Sequence, residues 1–132
     1  MNILFVDDLP EFKIQKTIEY LETQGVQFDY KIAKSVNSAG RYVAKNKDNI
    51  DLAVVDLGLP WFDDGDNFDK FNGLVVVAQI LRCNVSIPVI INSTTEIPDE
   101  EEFFEPYIEK NAVIEHVHSL NGKWLIEFMR KL

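Results

Sequence analysis

Short apolar runs alternate with segments of helical period along almost the whole chain, and each run stops at a polar or proline-containing turn. The runs lie at residues 3–6 (ILFV), within 27–33, at 51–56 (DLAVVD), at 87–91 (IPVII) and at 112–117 (AVIEHV). Between them, residues 9–25 predict a first helix with Pro10 in its first turn, Phe12, Ile18 and Leu21 facing inward, and Gly25 ending it. A second helix, over about 36–47, shares Val36, Ala39 and Val43 on one face, and a third places Leu74, Val77, Ala78 and Leu81 at i, i+3, i+4 and i+7. The fourth, within 98–111 (PDEEEFFEPYIEKN), is the least regular. Phe104, Tyr107 and Ile108 form its face, Pro106 is expected to kink or divide it, and its N-terminal half is expected to be mobile. Leu125, Phe128, Met129 and Leu132 repeat the helical spacing at the C-terminus. Strands that alternate with helices need crossover connections, so the pattern predicts a parallel five-stranded sheet covered by helices on both faces.

A chain of 132 residues with 46% hydrophobic content supports one core, so residues 1–132 are expected to form a single domain. The net charge of −9 repels nucleic acid and anionic lipid, and a phosphate-bearing partner must be held by a local device such as a bound cation. Cys83, the one cysteine, excludes an intramolecular disulfide, and no signal segment or long apolar span is present; a cytoplasmic address is expected, with no membrane or direct nucleic-acid partner.

In open parallel sheets, ligands sit outside the carboxyl ends of the strands, where strand order reverses. Asp7 and Asp8 follow the first run directly and Asp56 ends the third. A flavodoxin-like order, 2-1-3-4-5, sets strands 1 and 3 side by side and brings the three carboxylates together. At an effective dielectric of 20, each close pair of like charges costs roughly 4 kcal/mol. A hard divalent cation offsets that cost, and Mg²⁺ binds through one or two carboxylates together with phosphate oxygens. Taken alone, the Asp7–Asp8 pair is more readily a helix cap or a solvated pair; Asp56 at the end of a second buried run reverses that preference and favours the ion.

In order and spacing, the segments LFVDDLPE, LAVVDLGLP, NGLVVVAQILR and IPVIINST resemble the receiver domain of bacterial two-component response regulators, over essentially the whole chain. The resemblance implies a doubly wound, three-layer (βα)5 sandwich in which Asp56 is the phosphoacceptor for a histidine kinase or phosphotransfer protein. It implies that Asp7, Asp8, Asp56 and the backbone carbonyl of Gly58 hold Mg²⁺ or Mn²⁺. Ser93 matches the family's Ser/Thr position at the end of the fourth strand, with Thr94 as the alternative if the register slips by one.

Three stretches depart from the family pattern. Where the family carries a lysine at the end of the fifth strand, the alignment places His118, with Ser119 at the usual proline, while Lys123 falls in the first turn of the last helix. An insertion, WFDDGDNFDKF at 61–71, follows the expected phosphoacceptor; it lacks the residue order of a calcium loop and reads as a solvated acidic flap pinned by aromatics, or more sharply as a lid that covers the site or selects the kinase partner. The aromatic position on the fifth strand falls on Glu115 or His116, which puts the usual readout in question.

The resemblance therefore implies a stand-alone receiver, monomeric or weakly dimeric, that signals to a downstream protein and has no DNA-binding output of its own. At most it catalyses its own phosphorylation and dephosphorylation. The alternative is a pseudo-receiver, a phosphorylation-independent binding module. A haloacid-dehalogenase-like hydrolase with Asp7 as nucleophile is disfavoured, because its D-x-D pattern meets Leu9.

Overall fold

The computed structural model describes residues 1–132. Five strands and five helices alternate: β1 (Asn2–Val6), α1 (Ile14–Thr23), β2 (Asp29–Ala33), α2 (Val36–Asn46), β3 (Leu52–Val55), α3 (Asn72–Cys83), β4 (Val89–Asn92), α4 (Glu100–Ile108), β5 (Ile114–Val117) and α5 (Gly122–Arg130). The strands form one parallel sheet in the order β2-β1-β3-β4-β5, a flavodoxin-like α/β fold. Both faces of the central strands are buried, which is why β1, β3 and β4 read as unbroken apolar runs.

Two cores flank the sheet. Leu4, Val6, Ala53, Val55, Val89 and Ile91 point to the side packed by α2, α3 and α4, where Val43, Val77, Ile80 and Phe104 close over them. Ile3, Phe5, Leu52, Val54 and Ile90 point to the other side, against Ile14, Ile18 and Leu21 of α1 and Leu125 and Phe128 of α5. Each fully buried Leu, Ile or Val contributes about 1.5–3 kcal/mol, so these layers hold the strand ends, and the groups carried there, in a fixed frame. No helix is long and apolar enough to cross a membrane.

Several expectations shift in detail. The first helix starts at Ile14 rather than near Leu9. The Asp7 carboxylate accepts from the Leu9 amide at 2.8 Å, which turns the chain, and Phe12 is left 64% exposed while Ile14 and Thr17 join Ile18 and Leu21 inside. The buried face of α3 is Gly73, Val76, Val77, Ile80 and Leu81, with Leu74 and Ala78 only half buried. Gly73 sets that rotation: a Cβ there would lie 2.1 Å from the Asp56 carbonyl oxygen and 2.6 Å from Leu57 Cα, so this turn of α3 must face the end of β3 as a glycine. Pro106 does not divide α4, which runs unbroken from Glu100 to Ile108. Leu132 is half exposed beyond α5.

The inserted segment is held by its backbone. Val36 and Asn37, at the start of α2, donate to the carbonyls of Pro60 and Trp61 at 3.1 and 2.9 Å, and the Ser35 hydroxyl donates to Asp63 at 2.7 Å. These bonds satisfy amides that a helix N-terminus otherwise leaves unpaired. Three of its four aromatics do not pin the loop by burial, since Trp61, Phe62 and Phe68 stay 37%, 42% and 58% exposed, whereas Phe71 is half-buried. A short antiparallel bridge between Leu59 and Asp69, with the Asn72 amide reaching the carbonyls of Leu59 and Asn67, closes its base.

Candidate functional site

Parallel pairing brings Val6 opposite Val55, so the residues that follow them, Asp7 and Asp56, emerge side by side at the carboxyl end of the sheet. The Asp56 amide donates to the Val6 carbonyl at 2.9 Å, and the Asp7 amide to Ala33 at 3.0 Å, which fixes both main chains. Asp8 completes the set: one carboxylate oxygen from each of Asp7, Asp8 and Asp56 lies within 4.8 Å of the others. Asp7 is 4% exposed, and no lysine, arginine or histidine comes within 4.0 Å of the three, because the molecule's single ion pair joins His116 to Glu100.

Burial without a counter-charge shows in the acidities. Desolvation raises Asp7 above the ordinary aspartate value, opposed by the Leu9 amide and reinforced by repulsion from Asp8. Desolvation also raises Asp8, with Glu11 adding to it. Asp56 is pushed up to about 6, first by desolvation and then by the Asp7 charge, while Lys13 and the amides of Leu57 and Gly58 pull it back. Lys13 is thus the one cation felt by both Asp7 and Asp56. Sequence reasoning missed it; the available signal was its position in the loop that leaves the acidic pair.

Such a donor set suits a hard divalent ion. Three oxygen ligands on fixed strand ends leave positions open, and the charge of a small dication removes the conflict that burial creates. Three of the four acids of the insertion accept local bonds, Asp63 from Ser35, Asp64 from the Asp66 amide and Asp69 from the Phe71 amide, and Asp66 lies outside any cluster. No calcium loop forms there. Gly58 lies two residues beyond Asp56, and a Cβ on it would stand 3.1 Å from the Phe68 ring.

Ser93 lies just past β4 and is 6% exposed. Its amide donates to Val117 at 3.0 Å and its hydroxyl oxygen accepts from Thr95 at 3.1 Å, leaving the hydroxyl proton free to donate. Thr94 is exposed. His118 is exposed just past β5, in no hydrogen bond or ion pair with the carboxylates, its ring centroid 5.2 Å from that of His116. Lys123 is a surface residue in the first turn of α5. Of the two residues considered for the aromatic position, Glu115 is exposed, whereas His116 is turned inward: its Nε2 lies 2.9 Å from the Ser93 carbonyl and its Nδ1 3.2 Å from Glu100.

No protein-family model matches the sequence, and no curated protein is similar enough to it to count as a match. Solved structures supply the comparison. A CheY-like response regulator receiver domain from Methanospirillum hungatei JF-1 superposes with a TM-score of 0.70 at 19% identity, covering 98% of this chain and 90% of that one. The receiver domain of the hybrid histidine kinase CckA gives 0.67 at 17% identity over 99% and 97%. A chain of the CheX-CheY-BeF3-Mg complex from Borrelia burgdorferi gives 0.68 at 19% identity over 99% and 87%. The chain therefore has the receiver-domain fold along nearly its whole length.

Proposed function

We propose that the protein is a receiver that takes a phosphoryl group onto Asp56 from a phosphohistidine of a kinase or phosphotransfer protein and signals by contact with another protein. The observation that supports this reading is the convergence of Asp7, Asp8 and Asp56 within 4.8 Å at the carboxyl end of a receiver fold. In the transfer, a carboxylate oxygen of Asp56 attacks phosphorus, the new O–P bond replaces the N–P bond, and the donor imidazole leaves with the electron pair and takes up a proton. With its acidity set near 6, Asp56 is mostly ionised at neutral pH and ready to attack. Asp7, Asp8, Asp56 and the Gly58 carbonyl are the groups that would hold Mg²⁺ or Mn²⁺, which when bound offsets the charge on the phosphoryl oxygens. The Ser93 hydroxyl donates to one of those oxygens, and His118 is the nearest equivalent of the family's lysine.

The pseudo-receiver reading draws on one specific observation, the lack of any cation within 4.0 Å of the carboxylates. The two are separated by incubation with Mg²⁺ and a small acyl phosphate. The phosphoacceptor reading expects a hydroxylamine-labile phosphate increment in the intact mass that vanishes in Asp56→Asn. No increment at saturating donor overturns it in favour of the pseudo-receiver.

A further inference from the structure

Between α2 and α3, away from the carboxylates, lies a cavity of about 490 Å³, a size that suits a small organic ligand. Its wall carries Arg41 of α2 and Arg82 of α3, two of the chain's three arginines, and no acidic side chain. The two helices stand apart from the other three in the same way. Glutamate occurs in each of α1, α4 and α5, whereas α2 and α3 hold Arg41, Lys45 and Arg82 and no acid, in a chain of net charge −9. Lys45 and Arg82 sit in last turns, where a cation meets the negative end of the helix dipole; Arg41 is not in a last turn and has no such role. Neither arginine has a carboxylate within 4.0 Å, since the molecule's single ion pair joins His116 to Glu100.

Two uncharged side chains share the cavity. Gln79, also in its wall, has its side-chain oxygen buried with no donor, and it lies so close to α2 that a Cβ on Gly40 would stand 3.0 Å from that oxygen. A buried acceptor left unpaired is a standing cost, which a ligand N–H or O–H removes once the soft terminal torsion turns the amide toward it. Trp61 is 37% exposed and its main chain is fixed: its carbonyl accepts from the Asn37 amide at 2.9 Å, and its own amide donates to Asp66 at 3.0 Å. The indole is thereby held at the cavity as a flat surface on which a ring can stack.

We infer that the cavity between α2 and α3 is a mononucleotide site, with the phosphate on Arg41 and Arg82, the base against Trp61, and a base or ribose donor on Gln79. A guanidinium grips phosphate oxygens through two parallel N–H bonds, and two of them on one cavity, with no acid competing, select a phosphate over a neutral ligand. This cleft of positive sign is the local device that a phosphate-bearing ligand needs on so acidic a chain, while a polynucleotide is repelled by the charge around it. The cavity shares no residue with the Asp7, Asp8 and Asp56 cluster, so the inference goes beyond phosphoryl transfer and stands or falls without it.

The test uses the full chain with EDTA present, so that the carboxylate cluster holds no metal, at about 0.15 M salt, where general charge effects are screened. Adenosine, guanosine, cytidine and uridine monophosphate are the probes. At least one is expected to bind saturably below about 10 mM and to shift the Trp61 indole N–H and the amides of α2 and α3, leaving the Trp124 indole in place. Inorganic phosphate and the matching nucleoside are each expected to bind about tenfold more weakly. Arg41→Gln with Arg82→Gln is expected to weaken binding about tenfold, Trp61→Leu about fivefold, and Arg82→Lys, which keeps the charge and loses the fork, about threefold; all three sites are exposed, so folding is preserved. Lys16→Gln with Lys110→Gln removes the same charge elsewhere on the surface and is expected to alter binding by less than about twofold. No saturation by any of the four nucleotides, inorganic phosphate binding as tightly as the nucleotide, equal weakening by both charge pairs, or shifts centred away from α2 and α3 would each overturn the proposal.

Discussion

The two halves of the sheet's carboxyl end carry opposite kinds of design. On the β1–β3 half, the chain spends burial on charge: Asp7 and Asp56 are fixed by main-chain bonds to neighbouring strands, and α3 packs at Gly73 against the main chain of Asp56 and Leu57. On the β4–β5 half, the strands end in neutral or weakly basic groups, and the ordered contacts are His116 on Ser93 and Glu100, and Asn92 accepting from the Leu120 amide at 3.1 Å. The carboxylate pole is therefore built rigidly, while the half beside it carries little positive charge. The first half is relieved by positive charge; the second is a contact that can be broken.

The largest expected effect breaks the rigid half. Gly73→Ala forces a Cβ into the main chain of Asp56 and Leu57, which cannot swing aside as a side chain would, and should cost about 3 kcal/mol in denaturant unfolding. Next comes the charge conflict. Asp56 has its folded acidity raised to about 6 from 3.8, so the folded state holds the proton more tightly, and stability from this group falls as pH rises through that window and stays lower above it. Asp56→Asn removes the conflict. In metal-free solution it should match the parent near pH 4 and exceed it by about 2 kcal/mol at pH 7, after allowance for solvent screening.

Smaller effects probe the other half. His116→Ala loses the bonds to Ser93 and Glu100 and should cost about 1 kcal/mol, with faster amide exchange confined to α4 and the segment after β4. Glu105→Lys replaces like-charge pairs with Glu101 and Glu109 by opposite ones towards the negative end of the helix dipole and should stabilise by about 0.5 kcal/mol, an increment that disappears in high salt.

The fold was legible because both of its signals are local. Apolar runs short enough for strands, separated by helical periods, leave little besides a parallel crossover sheet, and strand order then brings Asp7, Asp8 and Asp56 together. What the sequence hid depends on tertiary rotation. The face of α3 turns on a main-chain collision at Gly73 that hydrophobic spacing does not report, so Leu74 and Ala78 were assigned inward in place of Val76 and Ile80. The start of α1 is delayed by a single Asp7 bond, which leaves Phe12 outside. The insertion reads as a flap because its charges are conspicuous, whereas what fastens it is main-chain pairing with α2. Lys13 was overlooked for a similar reason: its influence on Asp7 and Asp56 comes from the folded loop.

The central claim is that the three carboxylates are held in a conflict of charge that a divalent cation relieves, and proton release tests it most directly. Mg²⁺ titrated into weakly buffered protein at pH 6 should displace about half a proton per ion bound, falling toward zero by pH 8, and the release should be lost in Asp56→Asn. Mg²⁺ binding with no proton release at pH 6, or with the same release in Asp56→Asn, would contradict the account.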